Sequence, residues 1–281
     1  MKSKGAIFGK NQSRIGDNMN NTNHFSTPVP KDNLTEPQFL YKYYSFNKYT
    51  EKIFTHNEIY FPTPNEFNDP FDSKIKLSYE GTKKKWKEYL LQALERRIPD
   101  LTKEQRLAEV DRIIEEGRYK QIPDNISYSF LDKIGVFCMS EKKDHILMWS
   151  HYSASHTGFC LEFNATNEFF GRYQKIIYKL NYPKVNYFKS TQWEKTKTSL
   201  LTKAFFWKYE QEWRIIEHRK GPRVYIFPKE LLTGVIFGCS ILQENRTKIL
   251  KWCSDRKHRP NLYQARVKKR EFGLDILEID Y

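Results

Sequence analysis

Cys138-Met-Ser-Glu-Lys-Lys-Asp-His-Ile-Leu-Met-Trp149-Ser-His151-Tyr152-Ser153-Ala-Ser-His156-Thr-Gly158-Phe-Cys-Leu-Glu162-Phe163 sets polar, aromatic and small residues inside a strand-helix-strand pattern. Ile134-Gly-Val-Phe-Cys138 reads as a buried strand that runs into it. Helical spacing over 143–154 puts Met148, Tyr152 and His145 on one side, with Trp149 and Ser153 as a neighbouring stripe. Gly158 permits a tight turn before a second strand, Phe159 to Phe163. A plain core segment needs no such mixture, so function is sought here and at Tyr209-Glu210-Gln-Glu212-Trp-Arg214.

Working outward, Phe39-Leu-Tyr-Lys-Tyr43 is a strand by propensity. Ser45 is expected to cap a helix reaching His56, with Tyr49, Ile53 and Phe54 buried. Ile59 to Phe61 forms another strand, and Pro62 and Pro64 force an extended exit into a turn over 65–72. Trp86, Leu90, Leu91 and Leu94 mark a helix, Pro99 breaks it, and Thr102 with Gln105 opens a second. Downstream, Ile177 to Leu180 is a strand, 193–206 a helix with a lysine-rich outer face, and 209–217, 223–227 and 232–237 are strands. Ser240 with Gln243 is a capping box for a helix to Cys253, before a last strand over 262–267. The expectation is an α+β fold: a mixed sheet with flanking helices and a helical-hairpin insertion at about 83–120. It fills one domain over 37–281, behind a disordered polar tail over 1–36.

Of 281 residues, 39% are hydrophobic and 16% aromatic, which implies a packed, ring-rich core. The net charge is +14, from 48 basic and 34 acidic residues. Such a field draws in nucleic acid or another polyanion, although the charge is spread along the chain and equally suits a lysine-rich surface. Four well-separated cysteines fit a reducing cytoplasm, and no apolar run approaches the ~18 residues of a membrane span. Walker, Rossmann and Gly-x-Ser-x-Gly motifs are absent.

On a strand, Glu210 and Glu212 share one face. At a cleft rim they form an anionic pair able to hold a ribose hydroxyl and steady developing positive charge; on a solvated face Arg214 and nearby lysines are their salt partners. Ser140 opens onto the same cleft, and His151 and Tyr152 could position a ligand. Tyr41 and Tyr43 lie on one side of their strand and Lys42 on the other. In Asn68-Asp69-Pro70-Phe71-Asp72 the two aspartates hold a loop against the pocket or bind a cation. Cys138, His151, His156 and Cys160 lack structural-zinc spacing, so no zinc is expected. Asp69, Asp72, Glu162, Glu210 and Glu212 would serve a metal-dependent nuclease through Mg²⁺.

These stretches, with Ile59-Tyr-Phe-x-x-Pro-x-x-Phe67, Gly158-Phe-Cys-Leu-Glu-Phe163 and Val235-Ile-Phe-Gly-Cys239, resemble the bacterial DUF2971 family over residues 39 to 255. That resemblance implies a role in anti-phage defence, alongside phage or host proteins. The order of elements is similar, more distantly, to ADP-ribosyltransferases. By that likeness Tyr41, Lys42, Tyr43, Ser140, His151 and Tyr152 would bind NAD, Glu212 would be the catalytic glutamate and Glu210 would serve the acceptor. Lys42 stands where one class has arginine, and only Ser140 remains of the middle motif. The implied activity is ADP-ribosyl transfer or NAD hydrolysis. The alternatives are the nuclease and a non-catalytic sensor that binds nucleic acid or protein.

Overall fold

Short apolar and aromatic runs, buried on both faces, build the central strands, and the charged or proline-marked breaks between them set the turns. The computed structural model describes residues 36–121, 128–167, 169 and 173–281, so the expected tail lies, except for Glu36, outside the described residues. In chain order the first elements are β1 (Phe39–Tyr44), α1 (Thr50–Thr55), β2 (Glu58–Phe61) and β3 (Lys76–Ser78). Helices α2 (Lys83–Arg97) and α3 (Lys103–Glu115) follow, then β4 (Gly135–Ser140), α4 (Ile146–Tyr152) and β5 (Phe159–Asn164). Next come β6 (Gln174–Lys175), β7 (Ile177–Lys179), β8 (Lys184–Asn186), α5 (Gln192–Leu200) and β9 (Thr202–Ala204). The chain closes with β10 (Glu212–Glu217), β11 (Arg223–Ile226), β12 (Leu232–Phe237), α6 (Gln243–Ser254), β13 (Asn261–Val267) and β14 (Leu274–Ile279).

The fold is α+β around a mixed eight-stranded sheet in the order β14-β13-β12-β5-β1-β4-β10-β6. Strands β12 and β13 run parallel, joined through α6; the other neighbours are antiparallel. Strand β1 pairs with β5 over six positions and β10 pairs with β4 over six, yet β1 and β4 pair at one position, Tyr41 with Ser140. The sheet is therefore two well-bonded halves joined at a single rung. One face buries Phe137, Phe159, Phe163, Trp213, Ile215 and Phe237 against α1 and α6. The other carries Tyr41, Tyr43 and Cys160 against Met148 and Trp149 of α4. Trp149 is fully buried, and its indole N–H donates to the Lys143 carbonyl at 2.9 Å. The Ser153 hydroxyl donates back to the Trp149 carbonyl at 2.6 Å, ending the helix earlier than residue 154. In the hairpin, Trp86 and Leu90 of α2 pack on Val110 and Ile114 of α3, and the Thr102–Gln105 capping box forms.

Four local expectations need correction. Helix α1 starts at Thr50, not Ser45, because the Asn47 side chain accepts from the Tyr49 N–H and Thr50 accepts from the Asn47 N–H; Tyr49 is thereby left exposed. Helix α5 stops at Leu200: residues 202–204 leave it to pair with β7, which turns Lys203 inward. Ser240 gives its N–H to the His156 carbonyl, and Leu242 occupies the cap of α6 without a side-chain bond. The strand expected from Tyr209 begins only at Glu212. Residues 205–210 form a 3₁₀ turn, and Gln211 is left-handed at φ 45°. Among the described residues no helix is long and apolar enough to cross a membrane.

Candidate functional site

The 3₁₀ turn and the left-handed Gln211 decide the site. A continuous strand would hold Glu210 and Glu212 side by side on one face. Instead Glu210 arrives from a separate element, and both carboxylates converge on the Lys203 ammonium. Glu212 accepts from Lys203 at 2.9 Å, and Glu210 pairs with it more closely still.

On β10, Arg214 lies two residues from Glu212 and so on the same face. Its Nε and one terminal nitrogen donate to the two Glu212 oxygens at 2.6 and 3.1 Å. Its two terminal nitrogens donate to both Asp72 oxygens at 3.0 and 2.6 Å, and one also reaches the Leu200 carbonyl at 2.8 Å. Phe67 lies against the guanidinium, 5.1 Å from its ring centre. Asp72 therefore does hold its loop against the pocket, and the cation it binds is the protein's own.

All five charged groups of this cluster, Asp72, Lys203, Glu210, Glu212 and Arg214, are buried. Three carboxylates face two cations, so full ionisation would leave one uncompensated negative charge in a desolvated place. Glu210 is the one that yields. Burial raises it to about 7; Lys203 and the Tyr152 hydroxyl, which donates at 2.6 Å, oppose the rise, and Glu212 adds to it. Burial also pushes Glu212 upward, but Arg214 and Lys203 overcome that and hold it well below the ordinary carboxylate range. Burial works against the charge of Lys203, yet Glu212 and Glu210 keep it protonated.

The cluster forms one wall of a cavity of about 290 Å³ that opens where β1 and β4 separate. Tyr41, Lys42, Tyr43, Ser140, His151, Tyr152, Glu210 and Glu212, the eight residues singled out from the sequence, all line it. Their side chains are not equally free. The Tyr41 hydroxyl donates to Glu162 at 3.0 Å, and that of Tyr43 to the Lys142 carbonyl at 2.6 Å. Ser140 donates to the Glu210 carbonyl at 2.5 Å and accepts from the Lys142 N–H at 2.9 Å, so it fixes the turn that carries Glu210. The Lys42 ammonium lies 5.1 Å from the centre of the Phe137 ring, on the opposite face of the sheet. His151 is exposed, with Trp207 edge-on at 5.8 Å.

Lys203 is what sequence reasoning missed. Its signal is a lone lysine within Leu200-Leu-Thr-Lys-Ala-Phe-Phe-Trp207, a run too apolar for a solvated helix face. Tyr178, whose hydroxyl accepts the Glu212 N–H at 2.8 Å, carried no such mark. Among the described residues no group of three or more His, Cys, Asp or Glu side chains is placed to hold a metal ion.

Residues 148–215 match the model of the DUF2971 family, described as a protein of unknown function. The match runs from α4 to within β10 and includes Tyr152, Lys203, Glu210, Glu212 and Arg214; the resemblance drawn from the sequence holds over that segment. Neither the curated proteins nor the solved structures contain a match to the chain.

Proposed function

We propose that this DUF2971 chain cleaves the nicotinamide–ribose bond of NAD and passes the ADP-ribosyl group to water or to a second substrate. The observation that carries the reading is a buried carboxylate, Glu210, held near neutrality inside a tyrosine-lined cavity at the break in the sheet. A proton-transfer group works best with its pKa near the ambient pH. The cavity sits at the lower edge of the roughly 300–1,000 Å³ usual for ligand pockets. It suits the nicotinamide riboside end of NAD, with the rest of the dinucleotide lying outside.

In this reading the C1′–N bond breaks and nicotinamide leaves with the electron pair. The acceptor oxygen or nitrogen bonds to C1′, and its proton passes to the Glu210 carboxylate. Glu212 stays ionised and adds fixed negative charge on the same wall, tempered by the two cations that grip it. Tyr152 holds the Glu210 carboxylate in one orientation. Arg214 and Lys203 stand where a metal ion would have to bridge Asp72, Glu210 and Glu212, which favours ribosyl transfer over the metal-nuclease alternative. The cytoplasmic location proposed with it rests on four free thiols, Cys138, Cys160, Cys239 and Cys253.

The test is chromatographic detection of nicotinamide released from NAD by the purified chain and by its Glu210→Gln variant. The reading predicts release by the former and its near-complete loss in the latter. Equal release by both, or none by either with water and with protein and nucleic-acid acceptors, would contradict it.

A further inference from the structure

We propose that the rim beside Glu210 takes the second substrate, and that this substrate is an unpaired base of single-stranded nucleic acid. The role as acceptor rests on the ribosyl-transfer reading; the binding itself does not. The turn over 205–210 must fold inward to bury Glu210, yet it leaves Phe206 78% exposed and Phe205 44% exposed. Further along the same turn, Trp207 and Tyr209 lie 6.0 Å apart. Tyr209 stacks on His145 at 4.9 Å with 12° between the planes, and Trp207 meets His151, which lines the cavity. The Lys203 ammonium that grips Glu210 is 5.2 Å from the centre of the Trp207 ring. Rings on one turn thus run from the exposed Phe205 and Phe206 to Trp207, which touches the lysine that grips the proton-handling carboxylate.

Lysines accompany the rings. Lys208 is exposed, its ammonium 5.4 Å from the centre of the Phe205 ring, and Lys142 lies on the loop after Ser140; the Lys143 ammonium turns instead to the rings of Tyr41 and Tyr263. Neither Lys208 nor Lys142 takes part in a salt bridge among the described residues. Of the acids on that loop, Glu141 is already engaged by Trp213 and Lys175, which leaves Asp144. Rings for bases with ammonium groups for phosphates are what single-strand binding requires, and stacking tolerates any base because each has a π face. A duplex keeps its bases stacked and paired, so this rim discriminates against it. The chain's net charge of +14 acts in the same direction. In the transfer, a bond forms between the base nucleophile and C1′, nicotinamide departs, and the proton of the base goes to Glu210.

Fluorescence anisotropy with labelled single-stranded DNA, single-stranded RNA and duplex across a salt series tests the proposal. At least one single strand should bind about tenfold or more tightly than duplex, and Phe206→Ala should weaken that binding about tenfold with unchanged circular dichroism. Lys208→Glu should reduce the slope of log affinity against log salt by about 0.7, one phosphate contact on a single strand. No single-strand binding at low salt, equal binding of duplex, or indifference to Phe206→Ala overturns the proposal. Nicotinamide release without acceptor, measured on the same samples, separates the two readings. Release without strand binding removes the rim and leaves the NAD reading. Strand binding that depends on Phe206 without NAD cleavage under any condition does the reverse.

Discussion

From the same two strands, alternate residues build opposite interiors. Phe137, Trp213 and Ile215 point into a core of rings and aliphatic chains, whereas Cys138, Glu212 and Arg214 point into one of ions. On the first face burial is favourable for each side chain, at about 1.5–3 kcal/mol for a large apolar residue. On the second, burying Asp72, Lys203, Glu210, Glu212 and Arg214 costs solvation that their mutual attraction and hydrogen bonds must offset. The apolar face supplies stability. The ionic face supplies a fixed geometry and leaves one proton undecided between Glu210 and solvent.

The largest predicted effect breaks the ionic side alone. Arg214→Ala strands Asp72 and Glu212 without their shared partner and should cost about 3–5 kcal/mol in denaturant unfolding, as a large-to-small change such as Phe163→Ala should on the other face. Replacing Asp72, Glu212 and Arg214 together with Leu, Leu and Met removes the charges without stranding any of the three. This variant should be far more stable than Arg214→Ala, and near wild type, while losing activity. A triple variant as unstable as the single one would show that the ion cluster itself stabilises the fold.

Next in size is the chemistry. Glu210→Gln should lower the rate of NAD cleavage by about 10²–10⁴-fold, the span of a general base, with little loss of stability. Activity should also fall as pH drops below about 7, because the base must be ionised. Tyr152→Phe removes a hydrogen bond that favours the charged form of Glu210, so the acid limb of the pH–rate profile should move to higher pH. Stability responds in its own direction. Between the ordinary 4.5 and about 7, folded Glu210 holds a proton that the unfolded chain has released, so its contribution is present below 4.5 and is lost as pH rises through that window. Depressed Glu212 contributes oppositely: its stabilisation is present above 4.5 and is lost as pH falls toward its lower folded value. Urea midpoints across pH report the sum.

Which parts of this could be read from the chain follows from how each is encoded. Strands β1, β2, β4, β5 and β12 follow short apolar and aromatic runs, and the hairpin α2–α3 follows helical spacing and capping; all are local signals. Strand β14, Leu274-Asp-Ile-Leu-Glu-Ile, carries no such signal: only Leu274 among its residues is buried, and its place depends on β13 beside it. The cavity-lining residues were legible as polar groups in apolar surroundings. Their roles were not, because partners far apart in sequence set them: Asp72 is 142 residues from Arg214, and Ser140 is 70 from Glu210. The bend at Gln211 had no signal, since a non-glycine residue rarely adopts positive φ. Substitution at Gln211 has the smallest expected effect. Gln211→Gly should preserve both carboxylate positions and raise stability by up to ~1 kcal/mol, whereas Gln211→Val should destabilise by about 1–2 kcal/mol and loosen Glu210.

The chemistry of the ion cluster turns on where the remaining proton sits. Carboxyl carbon-13 NMR on glutamate-labelled protein, assigned through Glu210→Gln and Glu212→Gln, follows both groups through a pH titration. The prediction is that Glu210 titrates near 7 while Glu212 remains ionised to well below the ordinary glutamate range. A Glu210 resonance that is already fully ionised at pH values just above the ordinary 4.5 would contradict it.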